Sequence, residues 1–290
     1  MGKIAVSRRS PGTSPELLTS RAPIDPKRVS TQLAEPARWQ IEHVPVTGST
    51  NADLAAAAEG ANADSGAAGP GRTTVLVTEE QVQGRGRGGR GWVCPAGAGL
   101  MFSLLFREPA IPADRRGWVG IALGLSIVDA IAAVTGLTAT LKWPNDVLID
   151  GAKCAGILGE VTGDAVIIGS GINVTVDRAD LPRADATSLW LSGARTLDRE
   201  RLLVAILDDL GRIIDRWVAA RGDVDASGLR GEYRRSCSTL QSKVRVELPS
   251  GASLIGWAED IDPSGSLIVR DEHGRSAGYS AADVVHLRPR

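Results

Sequence analysis

Arginine carries nearly all the positive charge of this 290-residue chain; lysine occurs only at positions 3, 27, 142, 153 and 243. Two of those five, Lys142 and Lys153, flank an Asp150-Gly151 pair. A lysine ammonium is a compact point charge that can face a phosphate or a carboxylate, and its pKa shifts readily on burial. Lys142 alternates with Leu141 and Trp143 in a stretch that reads as a core strand, so its charge needs a partner, either Asp146 or a ligand. The alternative reading of Leu141-Lys142-Trp143-Pro144-Asn145-Asp146 is a surface lysine ahead of a Pro-Asn-Asp turn.

A second group of candidates lies in the loop Gly84-Arg85-Gly86-Arg87-Gly88-Gly89-Arg90-Gly91. Glycines let backbone N–H groups turn toward an anion, and the arginines between them add charge and bidentate donors. The run also matches G-x-G-x-x-G, but Trp92-Val93-Cys94-Pro95 follows it where a dinucleotide fold would open a helix. A flexible loop and an RGG-type RNA segment are the other readings, although such RNA segments are long and repeated. Gly169-Ser170-Gly171-Ile172-Asn173 sets glycines inside an apolar strand, the mark of a bulge or of close backbone approach to a ligand. Gly48-Ser49-Thr50-Asn51 is explained by helix capping alone, yet it also brings hydroxyls and free N–H groups to a helix start.

The elements that must position these residues are legible in outline. Trp39 to Val44 alternates as a short strand, and Asn51 to Glu59 is an Ala-rich helix with Thr50 and Asp53 spaced as a capping box. Residues 60–72 form a Gly/Ala/Asn loop. Thr73–Thr78 and Leu100–Phe106 read as buried strands, and the apolar, proline-free Gly117–Val134 as a core helix. Strands Thr140–Ile149 and Lys153–Val161 are predicted to join through Asp150-Gly151, and Gly163-Asp164 to turn into a third strand, Ala165–Val176. Leu197–Ala220 repeats apolar residues at helical spacing, from Leu202 to Trp217. Beyond Cys237, short alternating stretches with turns at Pro249-Ser250-Gly251, Pro263-Ser264-Gly265 and Glu272-His273-Gly274 predict a small SH3-like β-barrel. The expected organisation is a disordered Ser/Pro-rich tail over 1–37, a catalytic domain over 38–237 and the barrel over 238–290.

Composition excludes several classes. A net charge of −1 and a pI near 6.3 disfavour a general nucleic-acid binder. No apolar run approaches the ~20 residues of a membrane span, and the N-terminus has no apolar signal region. Cys94, Cys154 and Cys237 suit free thiols in a reducing cytoplasm. With only His43, His273 and His286, the motif-rich middle has no histidine for a Ser-His-Asp triad or a multi-histidine metal site.

In their order, GSTN, Gln81 before GRGRGGRGW, KWPND, KCAGIL with Lys153, and GSGINV resemble the catalytic module of biotin protein ligases, from about Trp39 to the C-terminus. KWPND followed by KCAGIL is the most specific stretch. The resemblance implies an α+β fold of the class II aminoacyl-tRNA synthetase/biotin ligase type, a mixed sheet with helices, followed by the SH3-like barrel. It implies that Ser49, Thr50, Asn51, Gln81 and Lys153 hold biotin, and that Arg85, Gly86 and Arg87 lie in a loop closing over the adenylate. Lys142 would neutralise the α-phosphate, with Asn145, Asp146 and Asn173 around the nucleotide and its Mg²⁺, which is held mainly through the ATP phosphates. Trp92 would offer a face to the adenine, and Lys142, Arg85, Arg87 and Asp146 form the catalytic set. Asp146 is left with two roles, taking the acceptor lysine's proton or orienting Lys142. The family's loop often reads GRGRRG; here Gly88 stands at the second arginine of that pair, which leaves Arg85 and Arg87 as the anion contacts.

The implied reaction joins biotin and ATP into biotinyl-5′-AMP, then transfers biotin to a lysine of the biotin carboxyl carrier domain of acyl-CoA carboxylases. Shielding an acyl-adenylate from water gives the glycine loop a purpose as a lid. A lipoate or octanoate ligase is the chemical alternative. A biotin-responsive repressor is the other, but the short Pro/Ser-rich stretch before the module does not read as a winged helix-turn-helix. No DNA partner, no membrane, a cytoplasmic location and a monomer or weak homodimer are expected.

Overall fold

The structure, a computed structural model, describes residues 20–60, 72–248, 251–280 and 283–286. Helix α1 (Pro26–Gln32) leads into β1 (Trp39–Thr47), α2 (Thr50–Gly60), β2 (Thr73–Gln81) and β3 (Gly99–Phe106). Helix α3 (Trp118–Thr135) follows, then the hairpin run β4 (Ala139–Lys142), β5 (Asp146–Ile149), β6 (Ala152–Thr162) and β7 (Ala165–Asn173). These strands form one mixed seven-stranded sheet, ordered β1-β2-β3-β7-β6-β5-β4, in which only β1 and β2 run parallel. Pro45 is tolerated within β1 because that strand lies at the sheet edge.

Side chains alternate across a sheet, and here each face has its own burial. Val75, Val77, Phe102, Leu104, Val166 and Ile168 join the main core, which α3 and α4 (Arg199–Ala219) complete on one face. Leu76, Leu105, Ala165 and Ile167 face the other way and pack under Leu54 of α2. Two and four residues beyond Ile167 on that same face stand Gly169 and Gly171. The apolar packing therefore gives way to open floor along a single strand.

Helix α4 buries Leu202, Leu203, Ile206, Leu210, Ile213, Ile214 and Trp217, as its spacing predicts, and Asp198 caps it by accepting from Arg201 N. Burying each such side chain stabilises the fold by about 1.5–3 kcal/mol. Helix α3 is the single helix among the described residues long and apolar enough to cross a membrane, with 18 residues at a mean hydropathy of 1.9. It is mostly buried between the sheet and α4, and Gly136 ends it in the left-handed region at φ 75°. The sequence reading, which found no run near that length, underestimated it.

After α5 (Leu229–Ser236) come β8 (Ser242–Glu247), β9 (Ser253–Ile261), β10 (Leu267–Asp271), β11 (Ser276–Tyr279) and β12 (Asp283–His286). They form a separate antiparallel sheet ordered β11-β10-β9-β8-β12, the small SH3-like unit expected. Asp262 accepts from Ser264 N and Ser266 N in the Pro263-Ser264-Gly265 turn, and Asp271 accepts from His273 N and Arg275 N in the Glu272-His273-Gly274 turn. Pro249 and Ser250 lie outside the described residues, as do residues 61–71 of the stretch expected to form a Gly/Ala/Asn loop.

Three expectations are corrected. The tail over 1–37, expected to be disordered, is folded from residue 20 onward; residues 1–19 lie outside the described set. Ile24, Val29 and Leu33 are buried, Ile24 N donates to Glu79, and Arg199 donates to the carbonyls of Ser20 and Ala22. The strand expected over Thr140–Ile149 is two strands, β4 and β5, separated by a turn at Trp143-Pro144-Asn145 whose Trp143–Pro144 bond is cis. The capping box at Thr50 is not formed: the Thr50 hydroxyl meets Ser103 and Gln81, while Asp53 accepts from the Thr47 hydroxyl.

Candidate active site

A cavity of about 800 Å³ opens on the α2 face of the sheet, large enough for a nucleotide and a small acid. Gly156, Gly169 and Gly171 form its floor; the start of α2, the Gly84–Trp92 loop, the β4–β5 turn and the end of β12 form its walls. It gathers Ser49, Thr50, Asn51, Gln81, Arg85, Gly86, Arg87, Trp92, Lys142, Asn145, Asp146, Lys153 and Asn173. Every residue the sequence nominated thus lines one space.

At one end the polar residues are tied into a chain. Gln81 Oε1 accepts from Thr50 N at 2.9 Å, satisfying a donor at the start of α2. The Thr50 hydroxyl lies 2.7 Å from Ser103 Oγ, which donates to Asn51 Oδ1 at 2.6 Å. Asn51 Nδ2 in turn donates to the Leu158 carbonyl and to Glu160. A Cβ on Gly169 would sit 2.1 Å from Asn51 Oδ1, so only glycine admits Asn51 here.

The Gly/Arg loop folds back as a small hairpin. Gly86 N donates to Arg90 O, Trp92 N to Gly84 O, and Gly88 at φ 63° and Gly89 at φ 75° form the tip. Arg85 reaches Glu160 at 3.6 Å and Arg87 reaches Asn145 Oδ1 at 3.5 Å, so each arginine meets a different wall. Arg90 turns to its own loop, donating to Arg87 O. The Trp92 indole lies on the floor: a Cβ on Gly171 would meet its Cε2 at 2.4 Å. Its Nε1 is buried with no hydrogen-bond partner among the described residues, and Lys153 Nζ stands 5.9 Å from the ring centroid.

Opposite the loop, Asn145 is bolted to β6 by two bonds, Nδ2 to Ile157 O at 2.8 Å and Ile157 N to Asn145 O at 2.9 Å. Asp146 is paired with Lys153 at 2.6 Å, not with Lys142, which makes no ion pair among the described residues. Asn173 is buried and donates to Thr187 O, holding the rim segment that carries Asp185. Asp185 titrates below its ordinary range, chiefly because Arg183 donates to it, with a contribution from the nearby Lys142 charge.

Sequence reasoning missed Ser103, Glu160, Asp185 and His286. Ser103 had a signal, a lone hydroxyl inside the apolar run LMFSLLF, and Glu160 and Asp185 had none beyond their charge. His286 comes from the C-terminal barrel, and nothing local in the sequence links it to this cavity.

The sequence profile of the biotin/lipoate A/B protein ligase family matches residues 61–177. The biotin–(acetyl-CoA-carboxylase) ligase of Mycobacterium tuberculosis is 42% identical over 92% of this chain and 97% of its own length. This chain belongs to the biotin protein ligase family. The ligase of the same description from Paracoccus denitrificans is 33% identical over 72% of this chain and 88% of that protein. The family fold extends to the biotin protein ligase of Aquifex aeolicus solved in complex with biotin and ATP, with a TM-score of 0.68 at 24% identity. That match spans 86% of this chain and 99% of the other.

Proposed function

We propose that this chain is an ATP-dependent biotin protein ligase that forms biotinyl-5′-AMP and then transfers biotin to a lysine of the biotin carboxyl carrier domain of acyl-CoA carboxylases. The observation that carries this reading is the meeting, in one cavity, of Lys142, Lys153, Arg85 and Arg87 with the polar chain from Gln81 to Asn51. A carboxylic acid and a triphosphate are both anions, and four cations around one floor suit their reaction.

In the first step a biotin carboxylate oxygen bonds to the α-phosphorus of ATP, and pyrophosphate leaves with the electrons of the broken P–O bond. Little covalent work falls to the protein, so alignment and charge stabilisation carry the rate. Lys142, which makes no ion pair among the described residues, is assigned to the α-phosphate, and Arg85 and Arg87 to the carboxylate and phosphates. Ser49, Thr50, Asn51, Gln81 and Lys153 are assigned to biotin, Gly86 lets the loop backbone approach it, and Trp92 and Asn173 border the nucleotide. In the second step the neutral acceptor amine bonds to the biotinyl carbonyl carbon, the C–O bond to AMP breaks with its electrons leaving on AMP, and the amine's surplus proton passes to solvent.

The donor set fits a Mg²⁺ carried chiefly by the nucleotide. Asp146 and Asp185 are already paired with cations, and no group of three ligating side chains occurs among the described residues. Asn145 is the side chain that would help to hold it, with Asp146 kept on Lys153, and the ion would supply charge neutralisation on the phosphates. A cytoplasmic site of action and a monomer or weak homodimer accompany this reading; the three free, buried cysteines suit a reducing compartment.

The test is to incubate the protein with Mg-ATP and either biotin or lipoate and to look for acyl-AMP by mass spectrometry. Biotinyl-AMP is expected. Lipoyl-AMP alone would reassign the acid, and no adenylate from a folded sample would remove the ligase reading.

A further inference from the structure

The turn that follows Lys142 is fastened to the C-terminal barrel by a hydroxyl. Trp143 N donates to Thr239 Oγ1 at 3.0 Å, and the same oxygen lies 2.9 Å from His286 Nε2. Thr239 is fully buried. Next to it, Ser238 N and Ser238 Oγ both donate to Leu141 O, so the chain at 238–239 grips β4 on either side of Lys142.

A threonine hydroxyl has one proton and two lone pairs. With one lone pair taken by Trp143 N–H, the remaining proton needs an acceptor, because an unsatisfied buried donor is costly. His286 Nε2 is the acceptor beside it, provided that nitrogen carries no proton; the ring is then neutral with its hydrogen on Nδ1. Half-burial and the neighbouring Lys142 ammonium both push the imidazole below its ordinary pKa, in keeping with a neutral ring.

We propose that His286 is a positioning residue for adenylate formation: through the Thr239 hydroxyl it fixes the backbone of Trp143 and hence the direction in which Lys142 enters the cavity. The barrel thereby becomes part of the nucleotide-handling machinery. The relay also explains why the last strand of a separate sheet lines this cavity. Its catalytic consequence rests on the ligase reading above, whereas its hydrogen-bond pattern does not.

Two measurements on the full chain test it. The first is steady-state formation of biotinyl-AMP by wild type, His286→Ala, His286→Gln, Thr239→Val and Thr239→Ser. Losing one buried hydrogen bond is worth about tenfold. His286→Ala and Thr239→Val are expected to lose about that factor in kcat/KM for ATP, with the KM for biotin within about twofold of wild type. Glutamine, whose amide oxygen can still accept, and serine, which keeps the hydroxyl, are expected to restore most of it. Unchanged kinetics in His286→Ala overturns the proposal. So does an equal loss toward both substrates with a lowered Tm and no rescue by glutamine, since that pattern belongs to a merely structural contact.

The second measurement needs no activity: ¹⁵N NMR of the histidine rings, of which the chain has three, near neutral pH. The expected His286 signal, assigned by its loss in His286→Gln, is the neutral tautomer protonated on Nδ1. An imidazolium, or a ring protonated on Nε2, overturns the relay. An inactive wild type with the expected tautomer would instead count against the ligase reading alone.

Discussion

Lys153 Nζ lies 2.6 Å from Asp146 Oδ1, although the residue directly opposite Asp146 in the β4–β5 ladder is Lys142. The carboxylate has thus chosen one of two lysines. Lys153 is held over the glycine floor beside the Trp92 ring, and the Lys142 charge is left for an incoming anion. Asp146→Asn is therefore expected to act on Lys153. A charge-assisted bond of this kind is worth about 1.5–3 kcal/mol at most. We expect the KM for biotin to rise about tenfold in Asp146→Asn and at least as far in Lys153→Met. The double variant should be no worse than Lys153→Met alone, because both act through one contact. Steady-state kinetics with biotin varied would check this, and additive losses would contradict it.

Lys142→Met is expected to behave differently. With no ion pair among the described residues, Lys142 has little folded-state partnership to lose, so stability should change by less than about 0.5 kcal/mol. Removing a preorganised charge from a transition state costs about 10²–10³ in rate. A loss of that size in biotinyl-AMP formation, at an unchanged urea midpoint, is the expected outcome.

How much of this was legible beforehand depends on whether the signal was local. The hairpin run and the amphipathic α4 follow from period and turn residues, and Gly169 and Gly171, two apart in an apolar strand, marked the floor. The choice of Lys153 by Asp146 was not legible. A register shift between Val147 and Leu148 sets Asp146 against Gly156 and Leu148 against Lys153, and alternation alone does not reveal a bulge. Helix α1 escaped notice although Asp25 accepts from Lys27 N and Pro26 opens the helix, because seven residues with one buried valine offer no periodicity to read. His286 and Thr239 are 47 residues apart, and only the closed barrel makes them neighbours.

Gly171 gives a prediction about the nucleotide end. A methyl there would fall 2.4 Å from Trp92 Cε2 and 2.5 Å from its Nε1, so the indole must leave the floor. Gly171→Ala is expected to raise the KM for ATP about tenfold, the scale of losing an aromatic stacking surface. Trp92→Ala should raise it similarly, and combining the two should add little. Isothermal titration with a non-hydrolysable ATP analogue, in the presence of biotin, would measure it. Unaltered nucleotide affinity in both variants would remove Trp92 from the site.

The junction between α5 and the barrel has its own pH signature. Asp260 on β9 accepts from Arg234 Nε at 2.7 Å and from Arg230 at 3.1 Å. Burial works to raise its pKa, but those arginine bonds and a backbone bond outweigh it and hold the carboxyl down to about 2. An unfolded aspartate titrates near 3.9, and a depressed folded pKa stabilises the fold above that value. The full shift would correspond to about 2.6 kcal/mol, but solvent screens both arginine and carboxylate here, and about 1 kcal/mol is the realistic share. Asp260→Asn should therefore unfold at lower urea than wild type at pH 7, by about that amount. As the pH falls from about 4 through 2, wild type protonates Asp260 and loses the advantage, while the asparagine does not titrate. The gap between the two should close over that window; a gap that persists unchanged at pH 2 would mean that the arginine–carboxylate charge is not what joins helix to barrel.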